Sequence, residues 1–197
     1  SAVKLSANWM AAAGFPGEDA ALYDTVQAVS TLCIALGVSI PVGKDSMSMR
    51  TSWRDGNGER SVMAPVSLIV SAFAPVRDAR ATLTPLLRFD QGDTVLVLLD
   101  VAAGRRRLGG SALAQVYGQL GDCAPDLDHP EALARFFDLL RVLRDENRIL
   151  AYHDLSDGGL LVTLAEMAFA SRCGVEIALD LADEPLASLF AEEIGAV

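Results

Sequence analysis

Residues 149–171, ILAYHDLSDGGLLVTLAEMAFAS, set an apolar β-like run, a polar cluster, two glycines and a helix-like apolar run in immediate succession. That order constrains the fold strongly: a strand must end, turn within a few residues and become a helix. The turn presents backbone N–H groups and the positive end of the helix, so an anion is favoured there. Gly158 and Gly159 have no side chains to keep a phosphate away, and Ser156 has a hydroxyl to donate. Asp154 repels phosphate, and its presence makes sense when a hard cation such as Mg²⁺ lies between carboxylate and phosphate oxygens. A plain alternative stands beside this one: Ser156 or Asp157 simply caps the helix. His153, ending the strand, reads as a hydrogen-bonded structural residue rather than a catalyst.

The rest of the chain alternates in the same way. DAALYDTVQAVSTLCIALG repeats apolar residues at helical spacing, from Ala21 through Val26, Val29, Leu32 and Ile34, and stops at Gly37. VSIPVG then reads as a short buried strand that Gly43 releases into the polar KDSMSM. Asp55-Gly56-Asn57-Gly58 marks a hairpin-like return, after which SVMAPVSLIVSAFAPV reads as one long strand. Pro85 and RFDQGD separate it from TVLVLLD, a run of buried-strand type. A domain boundary is expected near residues 80–90, dividing the chain into 1–84 and 85–197. Beyond it come a short helix over 111–120, a longer one from about 130 to 147, the strand ILAYHD, the helix after Gly158, the strand VEIAL and a helix from about Glu184. Such alternation predicts an α+β fold with an α/β sandwich in its second part. The uncapped start, SAVKLSANWMAAAG, reads as a chain entered in mid-domain, and EEIGAV as an abrupt end.

Composition narrows the function classes. With 197 residues, 51% of them hydrophobic, the chain can bury one good core or two small ones. A formal charge of −10 argues against broad binding to a nucleic-acid backbone, which needs a basic stripe, and leaves room only for a local basic spot. No apolar run reaches the roughly 20 residues of a membrane span, and no signal-peptide pattern opens the chain, so a cytoplasmic location is expected. Cys33, Cys123 and Cys173 are scattered, without the spacing of a disulfide framework or zinc site, and read as small buried or semi-exposed thiols.

Two further groups are candidates. Lys44 and Asp45 leave a strand through Gly43, where a sheet edge meets ligands, with Lys44 a point charge for phosphate or carboxylate; a surface ion pair is the alternative. GRRRLGGSALAQV joins Arg105, Arg106 and Arg107 to Gly109, Gly110 and Ser111 ahead of a helix, repeating the logic of the first turn, and a solvated turn is its alternative. There is no Walker-type or G-x-G-x-x-G loop, and the lack of a serine or cysteine in a G-x-[SC]-x-G elbow, with only His129 and His153 as histidines, argues against a self-contained hydrolase triad.

KLSANWMAAAGFPGEDAALYDTVQAV, IPVGKDSMSM, RLGGSALAQVYGQLGD and YHDLSDGGLLVTLAEMAFAS together, in this order, resemble the large single-chain form of phosphoribosylformylglycinamidine synthase. The resemblance runs nearly end to end. It implies the fourth step of purine biosynthesis, in which formylglycinamide ribonucleotide, ATP and glutamine give formylglycinamidine ribonucleotide, ADP, phosphate and glutamate. The ATP γ-phosphoryl group would activate the substrate amide oxygen, and ammonia from a glutaminase domain would displace it. The resemblance further implies a fragment: the end of the A domain of a second aminoimidazole-ribonucleotide-synthetase-like copy, then most of its B domain. The first copy, the nucleotide loop, the upstream metal-binding residues and the glutaminase domain would be partners in cis. By position, Asp154 matches the family's magnesium ligand and Ser156 a nucleotide contact, with Gly158 and Gly159 beside them. Lys44, Asp45, Gly109, Gly110 and Ser111 would lie near the substrate and phosphate clefts. The cofactors implied are Mg²⁺ and ATP or ADP. Because one of the family's two pseudo-symmetric sites holds its nucleotide structurally, a non-catalytic nucleotide-binding module is the alternative role.

Overall fold

A computed structural model describes residues 2–179 and 184–197. The chain is an α+β protein that divides into two compact units, Ser1–Arg77 and Asp78–Val197.

In the first unit a three-stranded sheet has the order β2-β1-β5, with β1 at Lys4–Met10, β2 at Ser39–Ser46 and β5 at Ser67–Phe73. β1 runs parallel to β2 and antiparallel to β5. The parallel pair needs a crossover, which helix α1, Glu18–Leu36, supplies. α1 ends at Gly37 in the left-handed conformation, φ 63°, with Val38 N–H donating to Cys33 O at 3.0 Å. Its protected stripe is Leu22, Thr25, Val29, Leu32, Cys33 and Leu36, spaced by three and four. Val26 and Ile34, expected on the inner face, are 43% and 78% exposed. The apolar spacing of the sequence is too broad to fix which edge of the stripe is covered.

Three strand expectations change. β2 is not a short buried strand released at Gly43. It continues to Ser46, lies at the sheet edge and leaves Val42 60% exposed. Gly43 is a close-approach residue rather than a breaker, since a Cβ there would lie 2.1 Å from Ala7 O on the paired strand. The long strand expected across 61–76 is interrupted near Pro65, giving β4, Gly58–Met63, and β5. β4 pairs with β3, Arg50–Asp55, in the hairpin that the Asp-Gly-Asn-Gly turn predicts. Asp55 Oδ1 accepts from Asn57 N–H at 2.8 Å and closes that turn.

The second unit contains β6 (Leu99–Asp100), α2 (Ala112–Val116), α3 (Pro130–Asp145), α4 (Gly159–Ser171), α5 (Pro185–Phe190) and β7 (Gly195–Ala196). α4 buries Leu160, Thr163, Leu164, Met167 and Ala168, the regular inner face that its apolar run predicts. It packs against α5. β7 pairs antiparallel with β6 on one side. On the other side His153 and Val197 exchange N–H···O bonds of 2.9 Å, and Leu155 N–H donates to Gly195 O at 2.9 Å. The strand expected over ILAYHD is thus reduced to an isolated bridge, Asp154 to Ala196. TVLVLLD is largely unpaired, with Val95 84% and Val97 55% exposed, and only Leu99–Asp100 joins a ladder. VEIAL forms no strand: Val175, Ile177 and Leu179 alternate correctly but have no ladder partner among the described residues. An apolar run states a need for a partner, and pairing waits on one being present. Cys33 is buried, Cys173 intermediate and Cys123 exposed, and all three are free thiols.

Candidate functional site

The turn before α4 is built from two directions. Pairing of residues 153–155 with 195–197 fixes the incoming segment. Gly158, in the left-handed region at φ 85°, is then the N-cap residue of α4, and no side chain caps this helix. Ser156 and Asp157 therefore do not serve as the cap. Both are exposed, as is Asp154, whereas Gly158 to Leu160 are buried. Gly159, at φ 64°, lies so close to α5 that a Cβ would stand 2.7 Å from Ala191 O and 2.8 Å from Phe190 C. Its lack of a side chain serves helix packing.

The anion at this helix entrance comes from the chain itself. Gly158 N–H donates to Glu192 Oε1 at 2.8 Å, and the same oxygen accepts Ala112 N–H, at the entrance of α2, at 2.8 Å. One carboxylate oxygen thereby satisfies N-terminal donors of both glycine-led helices.

Asp154 faces outward. Its Oδ1 accepts the Tyr152 hydroxyl, and its Oδ2 has no hydrogen-bond partner among the described residues. Burial and, after it, the bond to Asp154 hold the Tyr152 phenol well above the usual tyrosine range, so it stays a donor. Thr163 Oγ1 donates to Asp154 O at 3.3 Å, tying the loop to α4. His153 Nε2 lies 2.7 Å from Glu166 Oε2.

The second glycine-led turn is closed internally. Gly109 N–H donates to Cys123 O and Gly110 N–H to Leu120 O, both at 2.7 Å. A Cβ on Gly109 would sit 2.5 Å from the Cys123 carbonyl, so this glycine permits two backbone segments to touch. Ser111, 0% exposed, caps α2 by accepting from Ala114 N–H at 3.2 Å and donates to Leu108 O at 2.7 Å. The three arginines are ion-paired rather than simply solvated. Arg105 meets Asp128 at 3.3 Å, Arg106 meets Asp100 at 3.1 Å, and Arg107 meets Glu193 at 2.7 Å. Burial pushes the Glu193 carboxyl up, but its bonds to Arg107 outweigh this and hold it below the usual carboxylate range. Those same bonds raise the Arg107 guanidinium further above its ordinary value. A cleft of about 590 Å³ runs along residues 106–109, 121–123 and 184–187, and it contains neither Asp154 nor Ser156.

Lys44 and Asp45 belong to the first unit, where they pair with Asn8 and Trp9 of β1. As neighbours on a strand they point to opposite faces. Both are exposed, and no ion pair joins them among the described residues. All the other candidates belong to the second unit.

Chemically, the exposed turn offers one open carboxylate oxygen on Asp154 and, two residues on, an exposed hydroxyl on Ser156. No group of three or more histidine, cysteine or acidic side chains able to hold a metal occurs among the described residues. The open oxygen of Asp154 suits a hard cation that takes one or two protein carboxylates and completes its shell with water and phosphate oxygens, as Mg²⁺ does. Sequence reading missed Glu192 and Glu193. Their signal is two adjacent acids within the apolar run AEEIGAV, since buried carboxylates require partners.

Residues 1–75 match the family model of the FGAR-AT PurM_N-like domain. Residues 90–196 match that of the AIR synthase related protein, C-terminal domain. Among solved structures, E. coli HypE, a hydrogenase maturation protein, is similar at a TM-score of 0.57 and 18% identity, over 98% of this chain and 58% of that one. A second structure of E. coli HypE gives 0.55 and 20% over the same shares. T. maritima PurL complexed with ATP gives 0.52 and 14%, over 98% of this chain and 28% of that one. At such identities the likeness is one of fold, and the chain spans less than two thirds of either protein's length. No helix among the described residues is long and apolar enough to cross a membrane.

Proposed function

The chain belongs to the AIR synthase related family through its C-terminal domain, and from that premise we propose that it is a segment of the ATP-dependent synthetase that makes formylglycinamidine ribonucleotide in purine biosynthesis. The observation that carries this reading is the succession of two family matches, FGAR-AT PurM_N-like before AIR synthase related, along one chain. The solved PurL with ATP supports a nucleotide as the ligand.

In this reading the exposed turn before α4 is one half of a Mg²⁺-nucleotide site. Asp154 would hold the cation through its open oxygen, and the Tyr152 hydroxyl on Oδ1 fixes the carboxylate's orientation. Ser156 donates its hydroxyl to a phosphate oxygen. Gly158 and Gly159 shape the turn and dock α4, because the Gly158 N–H already has Glu192 as its acceptor. The bound cation supplies charge neutralisation on phosphate oxygens. Lys44 and Asp45 are the first unit's candidates for substrate contact, and the Gly109, Gly110 and Ser111 turn serves the fold of the second unit, its N–H groups donating to Cys123 O, Leu120 O and Leu108 O. The amino group comes from glutamine through a glutaminase domain elsewhere in the full enzyme, and the chain alone makes no product.

In a second reading this half-site holds its nucleotide without turnover, which the same exposed Asp154 and Ser156 equally support. Calorimetric titration of ADP with Mg²⁺ tests both, using wild type, Asp154→Ala and Ser156→Ala. Each substitution is expected to weaken binding by about tenfold or more, roughly 1.4 kcal/mol. Unaltered binding in both variants would remove the site. Full synthetase activity of the complete enzyme alongside lost nucleotide would remove the catalytic reading and leave the structural one.

A further inference from the structure

Resting on the nucleotide reading above, we propose that Glu192 is the residue that makes this site select metal-bound nucleotide over the bare anion. Left open, the entrance of α4 offers positive potential and a free N–H to any phosphate. Here Glu192 Oε1 already accepts the Gly158 N–H at 2.8 Å, and its charge offsets the helix end. Two further carboxylates, Asp154 and Asp157, stand exposed on the same turn. A metal-free nucleotide approaching Ser156 therefore meets a helix entrance that is already neutralised and carboxylates that repel it. A nucleotide that carries its cation meets the open oxygen of Asp154.

Glu192 is held where this requires. The same oxygen accepts Ala112 N–H at 2.8 Å. The next residue, Glu193, is fixed by Arg107, whose Nε and terminal nitrogen each lie 2.7 Å from a different carboxylate oxygen. Glu192 touches neither metal nor nucleotide in this arrangement. It acts through the Gly158 N–H and through its charge, as a positioning and specificity residue.

The test separates charge from contact. In the full chain, ADP affinity is measured by calorimetry with excess Mg²⁺ and again with chelator, for wild type, E192Q, E192A and E192D, each checked for a cooperative melt. E192Q and E192A, both neutral, are expected to shrink the ratio of metal-bound to metal-free affinity by about fivefold, chiefly through tighter metal-free binding. E192D keeps the charge and is expected to keep the ratio. Hydrogen exchange gives a readout independent of nucleotide: the Gly158 and Ala112 amides should exchange faster in E192A and stay protected in E192Q. An unchanged ratio in both neutral variants, a ratio lost equally in E192D, or unaltered amide protection in E192A overturns the inference while leaving the nucleotide site standing. Absence of ADP binding by wild type under either condition overturns the nucleotide site and this inference together.

Discussion

Glu193 is 3% exposed, yet it is ionised, with both oxygens on Arg107. Its carboxyl is held below its ordinary value of 4.5, so the folded state binds its proton less readily than the unfolded chain does. The stability this gives is present above that value and drains away as pH falls through the lower folded value. Thermal melts of wild type are expected to fall more steeply below about pH 4.5 than those of Glu193→Gln, whose curve should be lower at neutral pH and flatter in acid. Parallel curves would show that the pair contributes nothing to the acid limb. Glycine acts at this scale too: Gly159→Ala puts a Cβ 2.7 Å from Ala191 O at a positive φ. It should lower the melting temperature by about 5 °C or more, and a melt equal to wild type would refute the packing role.

Secondary-structure elements differ in how far their own residues decide them. α1, α3, α4 and the β3–β4 hairpin follow local signals, a helical apolar period or an Asp-Gly-Asn-Gly turn, and each stands close to where the sequence puts it. TVLVLLD and VEIAL carry an equally plain apolar signal and form little or no strand, because a strand is completed by a partner that the run itself does not specify. The candidate site divides similarly. The exposed trio Asp154, Ser156 and Asp157 is visible as a local cluster, whereas Glu192 lies 34 positions from Gly158 and 80 from Ala112, beyond any pattern of spacing. Gly43 is opaque in the sequence for the same reason, since its meaning is the Ala7 carbonyl of a neighbouring strand. Gly43→Ala should uncouple β2 from β1, seen as faster amide exchange along residues 39–46, and unchanged protection would show that the strands can part to admit a methyl group.

At the scale of the whole molecule, each unit leaves large apolar side chains in water. In the first, Val42, Val62, Ile69 and Phe73 are 56–60% exposed; in the second, Val116, Tyr117 and Leu120 are 69–82% exposed. Apolar area of this extent drives association. Sedimentation of the chain alone should show concentration-dependent self-association, and a hydrophobic dye should bind it at neutral pH; a monodisperse, dye-silent monomer would contradict this. The central place of β7 has a consequence in time. Its partners, Leu99–Asp100 and residues 153–155, are made before residues 192–197 emerge, and the Gly158 and Ala112 N–H groups lack their acceptor until Glu192 follows. Such distant pairings are slow to close. During synthesis the turn bearing Asp154 and Ser156 therefore lacks its final fastening until residues 195–197 have left the ribosome, so the nascent second unit passes through a period in which its helices precede the pairing that fixes this turn.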